Sequence, residues 1–104
     1  MKTIVDTNAL IYAAKKKQDL TNVIDGQILI PNLVIQELEN LAKTAKKGSD
    51  RAAAKLAISI IKHNKWKIIK LETGHPDKKI LEYAKQHACK IYTFDKLLKA
   101  EHKL

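Results

Sequence analysis

Asp6, Glu37, Asp77 and Asp95 are four of only eleven acidic residues in this chain, and each follows a short apolar run or opens the helix expected after one. In an open α/β sheet, the carboxyl ends of parallel strands and the adjoining helix starts line a single edge, where ligands bind. Carboxylates far apart in sequence then meet in space. Crowded carboxylates repel one another and lose hydration, so without a compensating cation some take up protons and their titrations become coupled. An all-carboxylate set suits one or two Mg²⁺ or Mn²⁺ ions, which take oxygen ligands and keep several waters, whereas zinc more often takes His or Cys. Each residue also has a plainer structural reading. Asp6, Asp77 and Asp95 can cap helices, and Glu37 can favour the positive end of a helix dipole. The joint placement is what points to metal chemistry.

The elements that must position these residues can be read from hydrophobic periodicity. Lys2 to Val5 reads as a buried strand and Asn8 to Ala14 as a helix that gives way at the lysine run 15–17, with Asp6 at their junction. Asp19 to Ile24 suits a short helix, Asp25-Gly26 a turn, and Gln27 to Ile30 a second strand stopped by Pro31. Val34, Leu38, Leu41, Ala42 and Ala45 form a helical stripe that places Glu37 in the first turn, off the core seam. Ser49 or Asp50 reads as the N-cap of a helix over Ala52 to Ile61, with Ala53, Leu56, Ala57, Ile60 and Ile61 inward. Lys67 to Leu71 is a third strand. Asp77 then opens a helix with a stripe of Ile80, Leu81, Ala84 and Ala88. Lys90 to Thr93 is a fourth strand, and Asp95 precedes a last helix containing Leu97 and Leu98. Apart from the short helix at 19–24, the order is βαβααβαβα. It implies an α/β fold in three layers, α/β/α, with a four-stranded parallel sheet and right-handed crossovers.

At 104 residues the chain predicts a single domain, residues 1–104, with its own core, and shows no linker, repeat or low-complexity run. The lone Cys89 excludes an intrachain disulfide, and neither a signal core nor a membrane-length apolar stretch is present, which predicts a cytoplasmic protein. A net charge of +9 favours polyanionic partners such as nucleic acid or an anionic membrane. All the basic residues but Arg51 are lysines, so contacts to phosphate should be weakly sequence-specific. The plainer reading of the lysine content is genome composition or a hot habitat.

Four segments together carry a family resemblance: Ile4-Val5-Asp6-Thr7-Asn8-Ala9-Leu10, Val34-Ile35-Gln36-Glu37-Leu38, Asp77-Lys78-Lys79-Ile80-Leu81 and Thr93-Phe94-Asp95-Lys96-Leu97-Leu98. This pattern resembles the PIN-domain nuclease family from the first strand to the last helix. The resemblance implies a divalent-metal-dependent endoribonuclease using Mg²⁺ or Mn²⁺, with RNA as partner. Asp6, Glu37, Asp77 and Asp95 would be its acidic metal site, and Asn8 and Thr93 the polar groups behind it. Cleavage by a metal-activated water would need no protein nucleophile. Within the family, the stretch from Glu37 to Ala53 looks most like the branch linked to ribosomal RNA processing and less like the toxins of toxin–antitoxin pairs. A catalytically weak RNA-binding or scaffold module is the rival reading. Many relatives carry a second Asp where this chain has Lys78, and many have a fifth strand after the last helix. The strand at Lys90 to Thr93 is therefore expected to be an open edge, available to a second copy or a protein partner.

Lys15, Lys16, Lys78, Lys79 and Lys96 are the lysines expected to guide RNA, although solvated helix faces explain most lysines in the chain. Aromatics are too few for a base-stacking platform. His75, His87 and Cys89 lack the paired spacing of a structural zinc site, and neither a hydrolase triad signature nor a Gly-rich phosphate loop is present.

Overall fold

Thr3, Ile4 and Val5 are buried in succession, which is the pattern of a strand covered on both faces, and they form the body of β1 (Lys2–Val5). The computed structural model describes residues 1–93. After β1 come α1 (Thr7–Lys16), α2 (Leu20–Val23), β2 (Gln27–Pro31), α3 (Asn32–Thr44), α4 (Gly48–Asn64), β3 (Lys67–Ile69), α5 (Pro76–His87) and β4 (Lys90–Tyr92). The four strands are parallel in the order β3-β2-β1-β4, with Ile4 opposite Leu29 on one side and Ile91 on the other.

That strand order fixes the layers. The crossovers from β1 to β2 and from β2 to β3 run in the same direction, so right-handed connections put α1 to α4 on one face of the sheet. The connection from β3 to β4 runs back past two strands, which puts α5 on the other face. The result is the three-layer α/β/α arrangement expected from the sequence. Helices α1, α3 and α4 pack on one another, and Ile4, Leu29, Ile30, Leu38 and Ile80 are the largest apolar side chains of the closed core. Between β1 and β4 the chain's direction of travel across the sheet reverses, and such a switch point opens a crevice at the strands' carboxyl ends.

Element ends differ from expectation in ways that bear on the site. Helix α1 starts one residue early at Thr7 and keeps Lys15 and Lys16 helical. Lys17 closes it in a left-handed conformation, its N–H donating to the carbonyls of Ala13 and Ala14. Pro31 ends β2 inside the ladder, opposite Ile69, and α3 begins at the next residue, so Glu37 lies in the second turn rather than the first. Neither Ser49 nor Asp50 caps α4. The helix starts at Gly48, with Lys47 at the cap position and no side-chain cap bond.

The inward face of α4 is also different. Ala53, Ala54, Ala57 and Ile61 are buried, while Leu56 is 44% exposed. Alanines on that seam let α4 lie close to α1 and α3, and this phase carries the larger Leu56 to the flank. Ala88 drops out of the α5 stripe because it is the left-handed C-cap at φ 52°. Strand β3 ends at Ile69 rather than Leu71, and β4 at Tyr92 rather than Thr93. The expected last helix and Asp95 lie outside the described residues.

Candidate active site

Asp6 is placed by the meeting of β1 and α1. Its backbone is extended, at φ −87° and ψ 172°, and its Oδ1 accepts the Ala9 N–H at 2.9 Å, an N-cap bond that starts α1. Its backbone N–H donates to the Tyr92 carbonyl at 3.3 Å, continuing the ladder to β4. Its Oδ2 accepts the hydroxyl of Thr93, the residue after β4. Both side chains are buried, at 6% and 2% exposure. The switch point between β1 and β4 is thus closed by a carboxylate and a hydroxyl in direct contact.

Glu37 approaches from α3, half-buried, at the same edge. Its carboxyl is pushed above the usual glutamate range. Loss of hydration is the main cause, and the Thr7 hydroxyl opposes it; the negative charges of Asp77 and Asp6 add to the rise, and His75 counters weakly. Those couplings show that Asp6, Glu37 and Asp77 share one electrostatic neighbourhood. Asp77 stands half-buried in the first turn of α5, behind Pro76 at the helix start, where a carboxylate also favours the helix dipole.

Asp77 reaches this edge by a loop that is anchored to α3. Asn32, the first residue of that helix, accepts the Leu71 N–H at 2.7 Å and donates to the Leu71 carbonyl at 3.3 Å. One carboxamide therefore satisfies both backbone groups of Leu71, two residues beyond the end of β3. The helix bearing Glu37 and the loop leading to Asp77 are joined at their roots.

Of the two polar residues expected behind the acids, Thr93 touches Asp6, while Asn8 is exposed on α1. The neighbouring Thr7 is the buried one, at 6% exposure. Sequence reasoning passed over Thr7 and Asn32. A hydroxyl directly after a helix-capping Asp reads as an ordinary helix start, and nothing local links residues 32 and 71.

The expected RNA-guiding lysines are dispersed. Lys15 is ion-paired with Asp50 and ties α1 to α4, and the Lys16 ammonium lies 5.9 Å from the centre of the Tyr12 ring. Lys78 is exposed on α5. Lys79 lies 3.7 Å from Glu72 and 3.8 Å from Glu82. Lys96 lies outside the described residues.

The donor chemistry of this edge fits a hard divalent cation. Its ionisable donors are carboxylates backed by threonine hydroxyls, and a positive ion would offset both the lost hydration of Glu37 and the added charges of Asp77 and Asp6. Among the described residues no three acidic, His or Cys side chains stand close enough to hold an ion by themselves.

Comparison with known proteins gives this geometry a context. A sequence profile described as "PIN like domain" matches residues 3–103. The protein named Ribonuclease VapC9 of Archaeoglobus fulgidus is 30% identical over 104 residues, covering 96% of this chain and 74% of that protein. Ribonuclease VapC4 of Methanocaldococcus jannaschii is 35% identical over 106 residues, covering 94% and 79%.

Proposed function

Since the chain belongs to the PIN-like domain family, we infer that it is a divalent-metal-dependent endoribonuclease that cleaves RNA phosphodiesters by an activated water. The resemblance in the sequence and the family match agree on this reading. The observation that carries it is the convergence of Asp6, Glu37 and Asp77 at the switch point of the sheet, where the Glu37 carboxyl loses hydration and feels the charges of Asp77 and Asp6.

We assign Asp6 and Asp95 as the direct metal ligands, with Mg²⁺ or Mn²⁺ as the ion. The bound ion would supply acidity to a water and offset charge building on the phosphate. The protein's own contribution begins with Asp6, whose two oxygens are fixed by the Ala9 N–H and the Thr93 hydroxyl and so present one orientation to the site. Glu37, on α3 at the same edge, would hold the ion through a water or orient the attacking water. Asp77 orients that water. Asn8, Lys78 and Lys79, close in sequence to Asp6 and Asp77, are proposed as phosphate contacts near the edge, and Lys96 as a further one; Lys15 and Lys16 lie in the last turn of α1, at the helix end away from Asp6, and drop out of that set.

The names of both relatives move the ranking of biological roles. The ribosomal-RNA-processing branch gives way to a toxin nuclease of a toxin–antitoxin pair as the better reading of this chain. We also propose that residues 1–104 form one domain and that the β4 edge pairs with a second copy or a protein partner. A monomeric mass in solution would overturn pairing with a second copy.

The test of activity is cleavage of a labelled RNA mixture by the wild-type protein with Mg²⁺, Mn²⁺ or EDTA. Metal-dependent cutting is expected. RNA binding without cutting in any metal would turn the protein into a binding module. Arrest of growth on expression, relieved by catalytic substitution, would support the toxin role.

A further inference from the structure

Thr7 is the first residue of α1, next to Asp6 in sequence and on the helix that packs against α3, the helix of Glu37. Its side chain is more than nine-tenths buried, yet its Oγ1 has no hydrogen-bond partner of good geometry among the described residues. A buried hydroxyl without a partner costs on the order of 1–3 kcal/mol, so its presence calls for an explanation. A valine would fill the same space without that cost.

The hydroxyl's natural acceptor is the Glu37 carboxylate. Thr7 lies near enough to Glu37 for its hydroxyl to favour the ionised carboxylate, although the contact falls short of a well-formed bond. Catalytic hydrogen bonds are often long or misaligned before the site is loaded and tighten afterwards. Residue 7 also sits at the root of the helix that Asp6 caps, so the Thr7 hydroxyl is fixed relative to that carboxylate.

We propose that Thr7 is a positioning residue: its buried hydroxyl is held in reserve for the Glu37 carboxylate and fixes the orientation of Glu37 when a divalent ion binds. The proposal rests on the reading of Asp6, Glu37 and Asp77 as a metal site. It assigns to Thr7 the part that the sequence pattern had suggested for Asn8. Thr7 does not touch RNA or the reacting atoms. It acts through Glu37.

The test compares Thr7→Val, Thr7→Ala and Thr7→Ser with the wild-type chain. The affinity for Mn²⁺ is measured calorimetrically in the absence of RNA, and Glu37→Gln serves as a control. Loss of an outer hydrogen bond to a metal-site residue typically weakens metal affinity by about 10-fold to 100-fold, so Thr7→Val and Thr7→Ala are expected to lose about tenfold. Thr7→Ser keeps the hydroxyl and should stay near wild type. Melting in EDTA separates this from a packing role, because Thr7→Val removes an unpartnered hydroxyl and should melt no lower than wild type. In RNA cleavage the same variants should lower kcat and leave KM little changed.

If Thr7→Val and Thr7→Ala bind Mn²⁺ as wild type does while Glu37→Gln binds it weakly, the role of Thr7 is wrong and the metal site stands. If Glu37→Gln also binds Mn²⁺ normally, the metal-site reading itself fails and takes this inference with it. Loss of affinity in Thr7→Ser equal to that in Thr7→Val would mean that the methyl group, not the hydroxyl, matters, and would overturn the proposal.

Discussion

Asp6→Asn and Asp6→Ala should separate the structural duty of this residue from its chemistry. Among the described residues, Asp6 accepts from the buried Ala9 N–H at 2.9 Å and from the Thr93 hydroxyl, each on a different oxygen. Alanine removes both acceptors. Loss of the cap costs about 0.5–2 kcal/mol, and loss of the charge-assisted bond from the Thr93 hydroxyl about 1.5–3 kcal/mol, for a total of roughly 2–5 kcal/mol. The carboxamide introduced by Asp6→Asn caps as well as a carboxylate does. Its Oδ1 can keep the Ala9 N–H while its Nδ2 donates to Thr93 Oγ1, because a hydroxyl can turn from donor to acceptor. Only charge assistance is lost, about 1 kcal/mol. Both substitutions relieve the repulsion of Glu37 equally, so their difference isolates the hydrogen bonds. For a domain of this size each kcal/mol moves the midpoint by about 4–8 °C, so Asp6→Ala, at least about 1 kcal/mol less stable than Asp6→Asn, should melt at least about 4 °C below it in EDTA. The assay is thermal unfolding followed by circular dichroism. Equal melting of the two variants would refute the assignment of Asp6 as the clasp between α1 and β4.

Three further outcomes follow from single contacts. Glu37 has a folded-state pKa raised above its unfolded value, so its contribution to stability is fully present below the unfolded pKa and is lost as pH rises through the folded one. In EDTA, the melting temperature of Glu37→Gln relative to wild type should therefore climb as pH rises from the acid range to neutrality, and a pH-independent difference would contradict the loss of hydration of Glu37 beside Asp77 and Asp6. Asn32→Ala removes both bonds to Leu71 and should cost about 1–3 kcal/mol, with amide exchange accelerated at Leu71; unchanged exchange there would show that the anchor is dispensable. Gly26 has φ +86°, and a Cβ there would run into the Met1 carbonyl, which accepts the Gln27 N–H at 2.8 Å. Gly26→Ala should destabilise by at least about 1–2 kcal/mol in chemical denaturation, and wild-type stability would mean that the turn can re-form.

What could be read from the sequence divides by the range of the interactions involved. The runs Thr3-Ile4-Val5 and Ile28-Leu29-Ile30 announce strands because a sheet covered on both faces buries every residue, and the four strands and five described helices stand where periodicity put them. Helix starts were harder to read. Ser49 and Asp50 have cap chemistry, but α4 begins before them, and Pro31 serves at once as strand residue and cap position. Leu56 was expected inward because it is large and apolar, whereas close approach of α4 to its neighbours selects alanine at the seam. The acidic edge could be anticipated because parallel topology sends strand ends to one side, and the structure brings Asp6 and Asp77 within electrostatic reach of Glu37. The supporting contacts could not be anticipated. The Asn32–Leu71 pair spans 39 residues and Asp6–Thr93 spans 87, and the choice between Thr7 and Asn8 depends on the rotation of α1 against α3.

The most direct test of the central claim is cleavage of labelled RNA by Asp6→Asn/Asp95→Asn beside the wild-type protein, in Mn²⁺ and at matched folded fraction by circular dichroism. The wild type should cut, EDTA should stop it, and the folded double variant should not cut. Undiminished metal-dependent cleavage by the double variant would place the chemistry elsewhere on the molecule.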